Sequence, residues 1–248
     1  MAEKKLEGAG LRGQVAGKTS LSTVGKAGKG LTYRGYEIEV LAEKAFFEEV
    51  AYMLLYGNLP NQEEYSAYSD KLKKLRSLPN KLKEVLENIP ASAHPMDVMR
   101  TGCSMLGNLE PEGDFENQNT SADRILASMA SIIVYWYKFS HDGIKVNLET
   151  DYETIGGHFL SLLTDKEPSE DDIRCLDTSL ILYAEHGFNA STFTARTCAS
   201  TLSDIHSCIT GAIGTLRGPL HGGANEAAME MIEKYSTRKE AHSAVLEM

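Results

Sequence analysis

Apolar residues recur at intervals of three and four along most of the chain, which predicts a series of amphipathic helices. The first clear example has its apolar face between Phe46 and Leu54, followed by stop signals at Gly57 and Pro60. Further helices are predicted with apolar faces at 65–75 and 82–86, and over 95–106, 120–140, 153–164, 169–186, 191–201, 203–216 and 224–235. The expected fold class is therefore mainly α.

Local capping signals predict several of the helix ends. Ser92 or His94 is expected to cap the helix that has Pro95 in its first turn, and Gly107 and Asn108 are expected to end that helix. Ser169 opens a near capping box, Ser-Glu-Asp-Asp, at the start of a later helix. The polar segment 109–121 is predicted to be a loop.

The two ends of the chain have different patterns. Near the N-terminus, two β-like runs, Lys18–Val24 and Leu31–Ile38, flank a glycine-rich segment, which predicts a short hairpin. At the other end, Ala241–Met248 has no Gly or Pro stop signal, so we interpret it as an unfinished helix.

Charge and composition exclude several functional classes. The chain has 25 Lys and Arg against 35 Asp and Glu, a formal net charge of −10 at pH 7, which argues against binding to nucleic acid or to an anionic membrane surface. The most apolar stretch, Ile125–Tyr137, is shorter than the ~20 residues of a membrane span. It predicts a buried helix, either in the core of the monomer or in a subunit interface.

The N-terminus lacks the apolar run of a signal peptide, which favours a cytoplasmic protein with reduced thiols. The four cysteines contain no CxxC pair, and we expect them to be small buried hydrophobic residues. They are Cys103, Cys175, Cys198 and Cys208.

Common cofactor motifs are absent or incomplete. The segment Gly8–Gly13 matches GxGxxG, but no strand precedes it, as a dinucleotide site requires. The sequence Gly17-Lys18-Thr19 resembles the end of a P-loop, yet Arg12 stands where the first glycine should be. None of the seven histidines has a spacing suited to zinc. We therefore predict no metal or redox cofactor.

The most unusual local segment is the turn 217–226, in which His221 lies among three glycines and a proline between two helical patterns. Glycines let the backbone approach a ligand closely. Just before a helix N-terminus the charged imidazole is disfavoured, so a neutral His221 could donate a hydrogen bond to a carbonyl oxygen that is becoming an enolate. A loop histidine packed over a helix end is the simpler alternative.

A second histidine lies at another predicted helix break. The segment Ala184–Thr192 has one helix ending at Gly187 and another beginning near Ser191. A helix C-terminus would favour the charged form of His186, which suits an anionic substrate. A capping histidine without a ligand is equally consistent with these residues.

Several motifs resemble the citrate synthase family over essentially the whole chain. The turn Gly218–Asn225, GPLHGGAN, is highly specific, and the segment AEHGFNAST precedes it at the family's separation. Matches in the N-terminal half are Tyr33–Tyr36, Leu54–Pro60 and His94–Met96. Finer details, in Gly10–Thr19, Thr23–Gly25 and Ala199–Asp204, resemble the 2-methylcitrate synthase branch.

The resemblance implies roles for individual residues. His221 would hydrogen-bond the thioester carbonyl of an acyl-CoA and stabilise its enol, and His186 would hold oxaloacetate. Asn189 would bind substrate, and Ser191 would support the site, as would the turn residues Gly222, Gly223 and Asn225. The implied reaction joins propionyl-CoA or acetyl-CoA to oxaloacetate and hydrolyses the thioester, in propionate catabolism or the tricarboxylic acid cycle. CoA would enter as part of a substrate.

The resemblance also implies a domain division and an assembly. Residues 1–222 would form a large helical domain and 223–248 the start of a smaller one, in a homodimer. The family's third histidine, its aspartate base and its oxaloacetate-binding arginines would follow Met248, so we expect the 248-residue chain alone to be inactive or nearly so. The alternatives are a silent helical fragment that only binds substrate or dimerises, and a helical scaffold without a site.

Overall fold

The structure is a computed structural model that describes residues 17–24, 30–164 and 166–247. Within these residues it is built from helices joined by turns and loops, with one two-stranded antiparallel sheet near the N-terminus. The strands are β1 Thr32–Tyr33 and β2 Tyr36–Glu37, and the helices are α1 Ile38–Lys44, α2 Phe47–Tyr56, α3 Gln62–Lys74, α4 Asn80–Glu87, α5 Pro95–Leu109, α6 Gln118–Asp142, α7 Ile155–Thr164, α8 Glu170–Tyr183, α9 Ala190–Ala199, α10 Ile205–Leu216, α11 Gly223–Glu233 and α12 Arg238–Glu247. The mainly α prediction is confirmed.

The hairpin differs from the predicted one. Both strands lie inside the second β-like run, because Arg34 (φ 47°) and Gly35 (φ 94°) form a two-residue turn with positive φ at both positions. The run ends early because Ile38 already begins α1. The first run touches the sheet through one bridge, between Ser22 and Tyr33, and residues 25–29 between the runs lie outside the described residues.

The long helix α6 organises the core. Its side chains Ile132 and Trp136 are at most 1% exposed and pack with residues of α4, α5 and α7. Another of its faces, at Ala127 and Ala130, packs with α2 and α3. Near its start, Ile125 packs against α10. The apolar stretch Ile125–Tyr137 therefore contributes chiefly to the core of the chain itself.

Two predicted helix caps are confirmed. His94, and not Ser92, caps α5: its Nδ1 atom accepts a hydrogen bond from the N–H of Met96 at 3.1 Å. Ser169 caps α8, where its Oγ atom accepts the N–H of Asp172 at 3.1 Å.

Two predicted helix ends were wrong. α5 continues through Gly107 to Leu109, and a Cβ atom at Gly107 would lie 2.6 Å from the Cβ of His206. This glycine therefore provides space for packing against α10 instead of ending the helix. α8 ends at Tyr183, three residues before the predicted end.

Other predictions concern single residues and boundaries. Cys103 and Cys208 are buried as expected, whereas Cys175 lies on the solvent-facing side of α8 and is exposed. α11 begins at Gly223, where the predicted small domain starts, although the domain division itself stays a prediction.

None of the helices in the described ranges is long and apolar enough to cross a membrane.

Candidate active site

An open cleft of about 760 Å³ lies where the ends of α8, α9, α10 and α11 meet the start of α5. All seven residues predicted to belong to the site line this cleft. They are His186, Asn189, Ser191, His221, Gly222, Gly223 and Asn225. The two unusual segments, whose histidines lie 35 residues apart in sequence, thus contribute to one cavity.

His221 is held by the first turn of α9. Its Nε2 atom lies 2.8 Å from the Oγ atom of Ser191. When the serine hydroxyl donates this hydrogen bond, the imidazole is neutral with its proton on Nδ1. The Nδ1–H group would then be the donor that the electrophilic role predicted for His221 requires.

The turn that carries His221 depends on close backbone packing. The N–H groups of His221 and Gly223 both donate to the carbonyl oxygen of Gly218, at 3.0 and 3.2 Å. A Cβ atom at Gly222 would collide with the carbonyl oxygen of Leu216. Gly222 is therefore required by the contact between this turn and the end of α10, and its φ of −61° would suit any residue.

Two helix N-termini face the cleft. α9 is capped by Asn189, whose Oδ1 atom accepts the N–H of Thr192 at 3.0 Å. α11 begins at Gly223, next to His221, and has no side-chain cap. The positive ends of both helices favour an anionic ligand. Because Oδ1 of Asn189 serves as the cap, its amide nitrogen is the part available to a ligand.

His186 is exposed to the cleft and lies beyond the end of α8. Its loop is fixed by Glu185, whose Oε1 atom accepts hydrogen bonds from the N–H of Gly187 at 2.5 Å and from the Ser22 hydroxyl at 3.2 Å. Gly187 has a φ of 66°, so the chain turns sharply after the histidine. Since α8 ends at Tyr183, the expected placement of His186 at a helix C-terminus was wrong.

Several residues that line the cleft lie outside the predicted set. His94 contacts Glu226 of α11, with 2.5 Å between Nε2 and Oε1. Because Nδ1 of His94 already accepts an N–H group, its Nε2 carries the proton and donates to Glu226. Arg217 contributes a cation whose Nε lies 3.7 Å from Oδ2 of Asp97.

The apolar part of the wall comes from Met96, Leu182, Tyr183 and Leu216. Leu182 is 50% and Tyr183 74% exposed, at the end of α8. For Leu182 and Tyr183 the sequence signal was an apolar pattern that continued to the end of a helix.

Comparison with known proteins identifies the family. The family model described as citrate synthase, C-terminal domain, matches residues 10–248. The chain belongs to the citrate synthase family. Among curated proteins it is 65% identical to the 2-methylcitrate synthase of Shewanella oneidensis over 243 residues, covering 98% of this chain and 65% of that protein. It is 40% identical to 2-methylcitrate synthase 1 of Corynebacterium glutamicum, covering 89% of this chain and 60% of that protein.

Solved structures of the family share the fold. Citrate synthase from Thermotoga maritima has a TM-score of 0.81 at 33% identity, covering 96% of this chain and 63% of that one. Citrate synthase from the archaeon Thermoplasma acidophilum, in a ternary complex with carboxymethyl coenzyme A and oxaloacetate, has a TM-score of 0.83 at 28% identity, covering 92% and 60%. The citrate-synthase-like fold is confirmed, and the chain spans between 60 and 65% of the length of these four relatives.

Gly8–Gly13 lies outside the described residues, and Gly17 packs against the ring of Phe188, where a Cβ atom would lie 3.0 Å from Cζ. Among the described residues, no group of three or more His, Cys, Asp or Glu side chains is arranged to hold a metal ion.

Proposed function

We propose that this chain provides the cleft of an acyl-CoA condensing enzyme, which joins propionyl-CoA or acetyl-CoA to oxaloacetate. The products would be 2-methylcitrate or citrate, and CoA. The observation that carries the proposal is the placement of His221: Ser191 holds its Nε2 atom at 2.8 Å, beside the start of α11, in a cleft that also contains His186. The 65% identity to a 2-methylcitrate synthase supports the same reaction and favours propionyl-CoA.

In the proposed mechanism, His221 donates its Nδ1–H to the thioester carbonyl oxygen and stabilises the enol formed when the α-proton leaves. His186, the amide nitrogen of Asn189 and the helix N-termini bind the carboxylates of oxaloacetate. The enol carbon then attacks the keto carbon, and water hydrolyses the thioester to release CoA as a thiol. The base that takes the α-proton is the aspartate that the family resemblance places after Met248.

We also propose a homodimer, as the resemblance implies, and a cytoplasmic location, with no metal or redox cofactor. The stretch Ile125–Tyr137 does not supply the dimer interface in this proposal, because Ile125, Ile132 and Trp136 are buried within the chain. Size-exclusion chromatography with light scattering would distinguish a dimer from a monomer.

The test is release of thiol from propionyl-CoA and acetyl-CoA in the presence of oxaloacetate. The 248-residue chain would be compared with a version completed by the part of the Shewanella oneidensis relative that it does not match. We expect activity in the completed protein alone, with propionyl-CoA preferred. Normal turnover by the shorter chain would contradict the expected need for the missing base, and activity in neither would favour a silent fragment.

Two variants of the completed protein test the roles of individual residues. His221→Ala should lower kcat by about a hundredfold or more, because it removes a hydrogen bond that strengthens in the transition state. Ser191→Ala should lower kcat by about tenfold with little change in KM, because the imidazole remains but is no longer oriented. Unchanged kcat in the His221 variant would refute the assignment.

A further inference from the structure

Helices α9 and α10 form a tightly packed antiparallel hairpin connected by residues 200–204. The Oγ1 atoms of Thr194 and Thr215 lie 2.9 Å apart. A Cβ atom at Gly211 would lie 3.5 Å from Cγ2 of Thr194. Thr194 therefore faces the stretch of α10 between Gly211 and Thr215, which fixes how the two helices are aligned.

The same alignment places two cysteines opposite each other nearer the connecting turn. Cys198 lies four residues after Thr194, and so on the same face of α9. Cys208 lies three residues before Gly211, and so on the same face of α10. Because the helices run in opposite directions, these two steps lead to facing positions, and the Cys198 thiol is near enough to raise the pKa of the Cys208 thiol.

We propose that Cys198 and Cys208 are a modification site, at which a small-molecule disulfide oxidises the facing thiols to a reversible intrachain disulfide. In the first step the Cys198 thiolate attacks one sulfur of the reagent and releases one reagent thiol, which leaves a mixed disulfide. In the second step the Cys208 thiolate attacks Sγ of Cys198 and releases the other thiol. The protein loses two electrons and two protons, and the reagent is reduced to two thiols.

The environments of the two sulfurs determine this order. Cys198 is half-buried, whereas Cys208 is 2% exposed and its Sγ lies 3.7 Å from the carbonyl oxygen of Ser203. A reagent can therefore reach Cys198 first.

The second step depends on the ionisation of Cys208. Burial raises the pKa of this thiol, and the neighbouring Cys198 thiol, Asp204 before α10 and Glu112 in the loop after α5 raise it further. Because the thiolate is the nucleophile, closure of the disulfide should accelerate as pH rises through the neutral range.

The other two cysteines provide internal references. Cys175 is exposed on α8, so it should form a mixed disulfide that stays open. Cys103 is buried in α5, with its Sγ 3.7 Å from the carbonyl oxygen of His206, and burial raises the pKa of its thiol. It should react slowest.

The sequence permits a direct assay, because no Lys or Arg lies between Arg196 and Arg217. Trypsin therefore releases both cysteines in one peptide, Thr197–Arg217. The folded chain would be incubated with oxidised glutathione, quenched with acid, alkylated and digested. The mass of the peptide would then be measured by mass spectrometry. We expect this peptide to be lighter than its reduced form by two hydrogen atoms and to carry no alkyl group. After reduction it should take up two alkyl groups.

Matched variants and a synthetic peptide distinguish a site built by the fold from simple proximity in sequence. Cys208→Ser should accumulate the mixed disulfide at Cys198, and Cys175→Ser should leave closure unchanged. The equilibrium constant for forming the closed disulfide with oxidised glutathione should be about tenfold or more higher in the folded chain than in synthetic Thr197–Arg217. A persistent mixed disulfide at Cys198 in the unsubstituted chain, two alkylated thiols, or equal closure in the free peptide would each overturn the proposal.

Discussion

The buried carboxyl group of Glu48 makes the stability of this chain depend on pH. Glu48 lies on α2 and is 0% exposed; its Oε1 atom accepts the N–H of Ile155 at 2.7 Å, and its Oε2 atom has no hydrogen-bond partner. Burial raises the pKa of Glu48 to about 7, against the lowering effect of the hydrogen bond from Ile155. Asp177 raises this pKa and Arg76 lowers it, both by smaller amounts.

The change we propose is Glu48→Gln, which keeps a carbonyl oxygen for Ile155 and removes the ionisable group. In the original chain the folded-state pKa of about 7 exceeds the ordinary value of 4.5, so the folded state binds more protons between these pH values. The resulting stabilisation is fully present below pH 4.5 and is lost as pH rises through 7. A difference of about 2.5 units corresponds to about 3 kcal/mol in the free energy of unfolding.

Urea unfolding at pH 5 and pH 9 would measure this effect. Between these values the original chain should lose about 2 to 3 kcal/mol more stability than the Glu48→Gln variant. Comparing how the free energy of unfolding of the two proteins changes with pH removes any effect of the new amide that is the same at both pH values. Glu43→Gln, at an exposed position of α1, should leave the slope unchanged. Parallel pH profiles for the original chain and Glu48→Gln would refute the reasoning, because they would mean that Glu48 ionises normally when buried.

Two further predictions concern contacts between helices. Gly107→Ala should lower the free energy of unfolding in urea by about 1 to 2 kcal/mol, because overpacking against His206 outweighs the better helix propensity of alanine. Gly214→Ala, whose Cβ would make only an ordinary contact at 3.6 Å, should leave the free energy of unfolding unchanged or raise it. A larger loss of stability in the Gly214 variant than in the Gly107 variant would contradict this reasoning. His94→Asn keeps a good cap for α5 but is too short to reach Glu226, so hydrogen exchange in α11 should accelerate by up to about fivefold without a loss of α5. Unchanged exchange in α11 would show that the His94 contact does not hold it.

Features that depend on local sequence were predictable. The apolar faces of α2, α3 and α4 recur at helical spacing, and the caps His94 and Ser169 act on N–H groups only two or three residues away. The sequence of the turn around His221 is by itself enough to indicate the family. Such signals are contained within a few consecutive residues, so they need no knowledge of the rest of the fold.

Features that depend on packing were not predictable. Glycine is common at helix ends, but Gly107 lies inside α5. A side chain at this position would collide with His206, 99 residues later in the chain. The error in the hairpin had a local cause instead: Arg34 and Gly35 have positive φ angles and form a two-residue turn inside the second β-like run.

The sequence by itself therefore determined most of the helices, the caps His94 and Ser169, and the two histidine-bearing segments. Only the tertiary structure decided that Ser191 orients His221, that His94 contacts Glu226 and that Cys198 faces Cys208. Each of these pairs joins two different elements of the fold. Their distances are set by how the helices pack, which depends on the shapes of many distant side chains and is not encoded in any single segment.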